Sequence, residues 1–296
     1  MAHSHHHHAD FNRAFAIGIV LNVIYIIIEI AFGLMFNSLA LLADASHNIS
    51  DVLSLIMAWV AHYLTRLPPT ERRTFGWKSS SILAALFNAL ILLVAIGGII
   101  WEAIGRLINP IEVSGLTVVW VSMVGVVINT LTALLFFTGR KHDLNIKGAF
   151  LHMAADAAVS MGVVIAGLII FLTGAAWVDP LTSLLVAVVI LIGTWGLLRD
   201  SAHLALQGVP REIDLQEVRN YLAQLPGVTG VHDIHVWAMS TTEIALTAHL
   251  VRPEVQDNDA LLMEVSRELD DRFGIEYSTV QIERSIECRA ARHCSA

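Results

Sequence analysis

Polar and apolar positions divide this chain into two unequal parts. Apolar runs near 14–36, 39–64, 82–104, 116–138, 148–172 and 178–198 are separated by short polar stretches. Each run is long enough to cross a hydrocarbon core of about 30 Å, which takes roughly 20 helical residues. Six membrane-spanning helices are the expectation. The first run follows Asp10 and Arg13 and has no small-residue cleavage site behind a short apolar core, so it is expected to be a retained helix and not a signal peptide. After 208 the pattern changes. Residues 215–225 and 260–273 have helical periodicity, and 228–239, 243–251 and 278–283 alternate as strands do, an αββαβ order that suits a small two-layer α+β domain.

Composition sharpens this picture. Across 296 residues 55% are hydrophobic and 15% charged, which suits a membrane protein with a polar appendage. Residues 1–199 carry ten Lys/Arg and ten Asp/Glu, whereas 200–296 carry eight and sixteen, so the net charge of -8 lies in the last third. No basic nucleic-acid footprint and no disordered composition fit that balance. Arg13, Arg66, Arg72, Arg73, Lys78, Arg140, Lys141, Lys147 and Arg199 fall on one side of a six-helix arrangement, and only Arg106 on the other. The positive-inside rule then makes both termini cytoplasmic, as an even number of crossings also requires.

Ionisable residues at membrane depth cost on the order of 2.5–3.5 kcal/mol each on insertion scales, so each asks for a reason. The second run reads Asp44-Ala-Ser-His47-Asn-Ile-Ser-Asp51 and the fifth reads His152-Met-Ala-Ala-Asp156. A four-residue spacing stacks His and Asp one turn apart on one helix face. Two such pairs offer two imidazole nitrogens and two carboxylate oxygens, a set that tetrahedral Zn2+ accepts, with no thiolate to hold the ion permanently. His152 is nearer its run's end than Asp51 is, so a tilt or a shifted helix boundary has to bring them level. Both motifs lie on the middle helix of a three-helix half, consistent with an inverted repeat around a midplane site. Asn22, Asn88 and Asn129 read as interhelical hydrogen-bonding partners, Glu29 as either that or a functional group, and His62 and Glu102 as residues reaching the headgroups.

With these residues stated, the chain resembles the cation diffusion facilitator family, in particular its zinc-transporting branch. The resemblance rests on Ser38 through Asp51, on Thr74-Phe-Gly-Trp77 with Leu83-Ala-Ala-Leu-Phe-Asn88, on Leu144-Asn-Ile-Lys-Gly-Ala149 leading to His152 and Asp156, and on Val231-His-Asp-Ile-His-Val-Trp237. It implies a homodimeric secondary transporter, not an enzyme, that exchanges cytoplasmic Zn2+ for H+ across the inner membrane, with lipid as its other partner. His47, Asp51, His152 and Asp156 would form the transport site. It also implies a ferredoxin-like cytoplasmic domain binding metal through His232, His249 and Glu283. His47 favours zinc over branches carrying Asp there. The loop 68–78 has neither His nor Asp, so a second site known in some relatives is not expected.

The expected organisation is a His-rich tail (1–13), six helices (14–199), a metal-binding cytoplasmic domain (208–284) and a tail (285–296). Cys288 and Cys294, with His293, are either cytoplasmic thiolate ligands or idle groups on a frayed end. His3 and His5 to His8 suit a metal-gathering tail, an expression tag being the alternative. By simple alternation His235 faces away from His232. Export of Cd2+, Co2+ or Ni2+, or metal sensing without transport, are the rival functions.

Overall fold

The computed structural model describes residues 7–65, 67–137, 144–254 and 258–285. Six long helices come first: α1 (His7–Met35), α2 (Leu39–Thr65), α3 (Ser80–Ile108), α4 (Gly115–Phe136), α5 (Leu144–Thr173) and α6 (Val178–Ala205). The remainder runs α7 (Leu215–Ala223), β1 (Gly230–Ala238), β2 (Ile244–Val251), α8 (Asn258–Phe273) and β3 (Tyr277–Glu283). Two compact units result: Met1–Ile56 with Asn88–Gly196, and Met57–Phe87 with Leu197–Ala296.

By length and composition α3, α6 and the segments Gly115–Leu134 and Phe150–Thr173 can each cross a membrane, while α1 offers a shorter apolar stretch, Ile19–Met35. Val94, Trp101, Trp120 and Ile192 face outward and are exposed, a surface suited to lipid. Four helix boundaries depart from the apolar runs: α1 starts at His7, inside the stretch expected as a tail, α3 continues to Ile108, past the run's end at 104, and α5 and α6 depart as well. α5 starts at Leu144, ahead of the run at 148, and α6 continues to Ala205, past the run's end at 198. A hydropathy run ends where charge begins, but Arg199 and Asp200 are compatible with helical backbone. What stops α6 is Gln207, at φ 61°, with the Gly208 N–H returned to the His203 carbonyl at 2.9 Å. Asn37, at φ 56°, ends the α1 segment in the same way.

The first turn of α2 is capped twice. Its Ser38 hydroxyl accepts from the Leu41 N–H at 3.3 Å, and Asp179 of α6 accepts from the N–H groups of Leu39 (2.8 Å) and Ala40 (3.3 Å). Those are three of the donors that a helix start leaves orphaned. The helices pack through small residues: a Cβ on Gly167 would meet the Gly115 carbonyl at 3.1 Å, which brings α4 and α5 into backbone contact.

In the second unit β2 pairs antiparallel with β1 and parallel with β3. The parallel pair needs a crossover, which α8 supplies. Val218 and Leu222 of α7 and Val265 and Leu269 of α8 pack on Ile234, Val236, Leu246, Ala248 and Leu250 of the sheet. Burying each such side chain contributes roughly 1.5–3 kcal/mol. The sheet face opposite this core remains free to carry polar groups.

Candidate metal centres

α2 and α5 face each other through their His/Asp pairs. Nε2 of His47 is 3.8 Å from Asp51 Oδ2 and 3.2 Å from Asp156 Oδ1, and Nε2 of His152 is 3.3 Å from Asp51 Oδ2 and 3.6 Å from Asp156 Oδ2. Imidazoles and carboxylates thus alternate around a ring. A tetrahedral ion with bonds of 2.0–2.2 Å would hold its donors roughly 3.3–3.6 Å apart; His47, Asp51 and Asp156 offer donor atoms all within 4.8 Å of one another, while His152 reaches Asp51 and Asp156 but stands outside that closer set. Oδ2 of Asp51 and Oδ2 of Asp156 are sealed from solvent, with the histidine nitrogens as polar neighbours across the same gap. The early start of α5 makes this possible. It puts His152 two turns inside the helix, where it can be level with Asp51.

The surrounding polar residues have mixed fates. The Asn88 amide reaches Ser50 Oγ at 3.4 Å and Asn48 reaches Glu29 Oε2 at 3.1 Å, both between helices, and Asn22 lies 3.9 Å from the Met153 sulfur. Asn129 does not make the interhelical bond expected of it. It is fully buried and neither amide atom has a partner among the described residues. Periodicity can place a polar residue inward but cannot supply its partner. Glu102 is held by Arg106 at 2.9 Å. Asp179 escaped the sequence reading altogether, although an Asp before Pro180 at the start of a run is a cap signal.

A second cluster occupies the free face of the sheet. His232 pairs directly with His249 across β1 and β2, their rings 5.2 Å apart. Glu283, at the end of β3, receives both: His232 Nε2 at 3.1 Å from Oε2 and His249 Nδ1 at 2.9 Å from Oε1. Nδ1 of His232 is buried without a partner. Simple alternation fails beside it. A β-bulge between His232 and His235, with Asp233 at φ 50°, inserts one residue and returns His235 to the face of His232, opposite Thr247. There His235 is 66% exposed and pairs with Asp233 at 3.1 Å, while Asp233 also stands 3.7 Å from His249. Asp233 was not among the residues singled out. Two successive polar positions in a strand, one of them an Asp that tolerates positive φ, were the available signal. Cys288, His293, Cys294, His3, His5 and His6 lie outside the described residues, and His7 and His8 open α1.

The loop between α2 and α3 makes no metal cluster among the described residues. Its Arg73 stacks over Trp77, and Lys78 bonds Glu243 at 2.9 Å and the Tyr277 hydroxyl. Desolvation works against the Lys78 ammonium, but the bonds to Tyr277 and Glu243 outweigh it and hold the group above its ordinary pKa.

Comparison with known proteins places these features in context. A family model described as "Cation efflux transmembrane domain" matches residues 15–204, and "Cation efflux protein, cytoplasmic domain" matches 210–285. The metal cation efflux system protein CzcD of Cupriavidus metallidurans is 36% identical, covering 99% of this chain and 94% of that protein. The zinc transporter ZitB of Escherichia coli is 36% identical over 96% of this chain and 93% of its own length. The cadmium, cobalt and zinc/H(+)-K(+) antiporter of Bacillus subtilis is 34% identical over 96% and 92%. Among solved structures, the metal-bound C-terminal domain of the CzcD transporter from Cuprividus metallidurans is 35% identical, covering 24% of this chain and 99% of that one with a TM-score of 0.23.

Proposed function

The chain belongs to the cation efflux family, and from that premise we propose that it is a proton-coupled antiporter that exports Zn2+ from the cytoplasm through His47, Asp51, His152 and Asp156. The observation that carries this reading is the alternating ring of His47, Asp51, His152 and Asp156, with neighbouring imidazole nitrogens and carboxylate oxygens 3.2–3.8 Å apart. Four protein ligands fill a tetrahedral shell and leave no open coordination position, which suits carriage and not hydrolysis. The loop charges orient both termini and the C-terminal domain to the cytoplasm of the inner membrane. The working unit is a homodimer, in which His232, His249 and Glu283 bind metal in the cytoplasmic domains.

Energetics favour coupling. Moving two charges out of a negative-inside cell costs roughly 4.6 kcal/mol per 100 mV, and each entering proton returns roughly 2.3 kcal/mol per 100 mV. Histidines must be neutral to bind metal, so binding and proton release are linked. Imidazole and carboxylate ligands also accept Cd2+, Co2+ and Ni2+. Given the ions in the name of the Bacillus subtilis relative, Cd2+ and Co2+ are the second reading. The test is flux in proteoliposomes across a panel of these ions, with a lumenal pH dye and the potential clamped. A pH gradient alone, acid on the outer face, drives Zn2+ transport with a matching proton signal. Metal flux without a proton signal would leave a facilitated channel as the better account.

A further inference from the structure

One turn from the four ligands, toward Ser38 and Asp179, the helices bury a second pair of carboxyl groups. Glu29 of α1 is 0% exposed and Asp44 of α2 is 1% exposed. Asp44 precedes His47 by three residues, and its Oδ2 accepts the hydroxyl of Ser160, four residues beyond Asp156 on α5, at 3.0 Å. Glu29 Oε2 accepts the Asn48 amide. The two carboxyl groups lie beside each other, close enough to share a hydrogen bond. The Tyr25 hydroxyl lies within hydrogen-bonding reach of Glu29 and Ser160. Tyr25 packs against Gly125 of α4, a helix that carries no ionisable residue. The charged groups of α2 and α5 that act on Asp44 are His47 and Asp156.

Two ionised carboxylates in contact have no donor between them and repel. One hydrogen bond between carboxyl groups therefore requires a proton. Yet the four-ligand site is only one helical turn away, and a divalent cation there would favour the doubly ionised pair. Metal and proton would then exclude each other through the field, with no shared ligand, and that exclusion is reciprocal.

We propose that Glu29 and Asp44 form a proton-binding site, separate from the metal ligands, that releases its shared proton when metal occupies the four-residue site and recovers one when metal leaves. This rests on the antiport reading above. In that topology α2 enters from the outer face, so Asp44 lies outward of His47 and the pair is refilled from the outer side. The balance is simple: one carboxyl O–H breaks as metal arrives and the proton leaves to water; one O–H re-forms as metal departs.

The test uses the full chain in lipid. Infrared difference spectra of the wild type, with and without Zn2+, are expected to show a protonated-carboxyl band at neutral pH that disappears on metal binding. Glu29→Gln and Asp44→Asn should each remove it. Calorimetry in buffers of different ionisation enthalpy should show about one proton fewer released per metal in Glu29→Gln, with Zn2+ still bound. Absence of a metal-sensitive carboxyl band in the wild type overturns the proposal even if both variants misfold. Unchanged band and proton release in the variants overturn it while leaving antiport intact. Wild-type zinc flux with no proton signal would instead bring down the antiport reading itself.

Discussion

Ser38 at the start of α2 and Asp179 at the start of α6 meet across 2.6 Å, the hydroxyl donating to Oδ1 of the carboxylate, and both residues are fully buried. Because Asp179 also holds the N–H groups of Leu39 and Ala40, it fixes where α2 begins, and α2 carries His47 and Asp51. Asp179→Ala strands these donors away from water, at roughly 1–3 kcal/mol. The variant should melt several degrees below wild type in detergent micelles. An unchanged Tm would show that the cap is dispensable.

His47→Ala, Asp51→Ala, His152→Ala and Asp156→Ala each delete one corner of the ring. Zn2+ affinity at this site should fall by more than the roughly 10–100-fold typical of losing a residue that merely orients a ligand, and uptake should drop to background. Circular dichroism and gel filtration should remain those of wild type. Uptake near the wild-type rate in either Asp variant would contradict the assignment.

Replacing His47 by Asp exchanges a borderline nitrogen for a harder oxygen. Transport should then shift toward Cd2+ or Mn2+ relative to Zn2+, read as competition in proteoliposomes. If the ion ranking stays the same, His47 does not touch the ion.

Asp233 separates backbone from side chain cleanly. Glycine adopts φ 50° without cost, so Asp233→Gly keeps the bulge and removes the carboxylate beside His249 and His235. Metal affinity of the cytoplasmic cluster should fall roughly 10–100-fold, measured by calorimetry in a background where Asp51 and Asp156 are both Asn. Equal affinity in the glycine variant would assign Asp233 a purely conformational role.

Lys78 ties the α2–α3 loop to Glu243 and Tyr277. Lys78→Met leaves Glu243 half-buried and unpaired by this ammonium, and hydrogen exchange across residues 67–79 should accelerate. Since its bonds hold the ammonium above its ordinary pKa, the contribution is fully present at physiological pH and is lost only as pH rises through the alkaline lysine range. Exchange no faster than wild type in the methionine variant would mean that the loop is held by other contacts.

Six helices, an αββαβ domain and two His/Asp pairs were legible in the linear sequence because each depends on neighbours within a turn or a strand. Apolar length reports a span, a period of 3.6 or 2 reports a face, and a four-residue spacing puts His47 over Asp51 and His152 over Asp156. Other features depend on partners more than a hundred residues away. The levelling of His152 with Asp51, the Asp179 cap on α2 and the link from Asp44 to Ser160 exist only once α2 has packed against α5 and α6. Asp233 belongs to both kinds. Its identity permits positive φ, but pairing His232 with His249 and His235 with Thr247 is what forces the extra residue into a bulge. Local periodicity fixes direction around one element. Distance between elements is set by packing, which no single segment encodes.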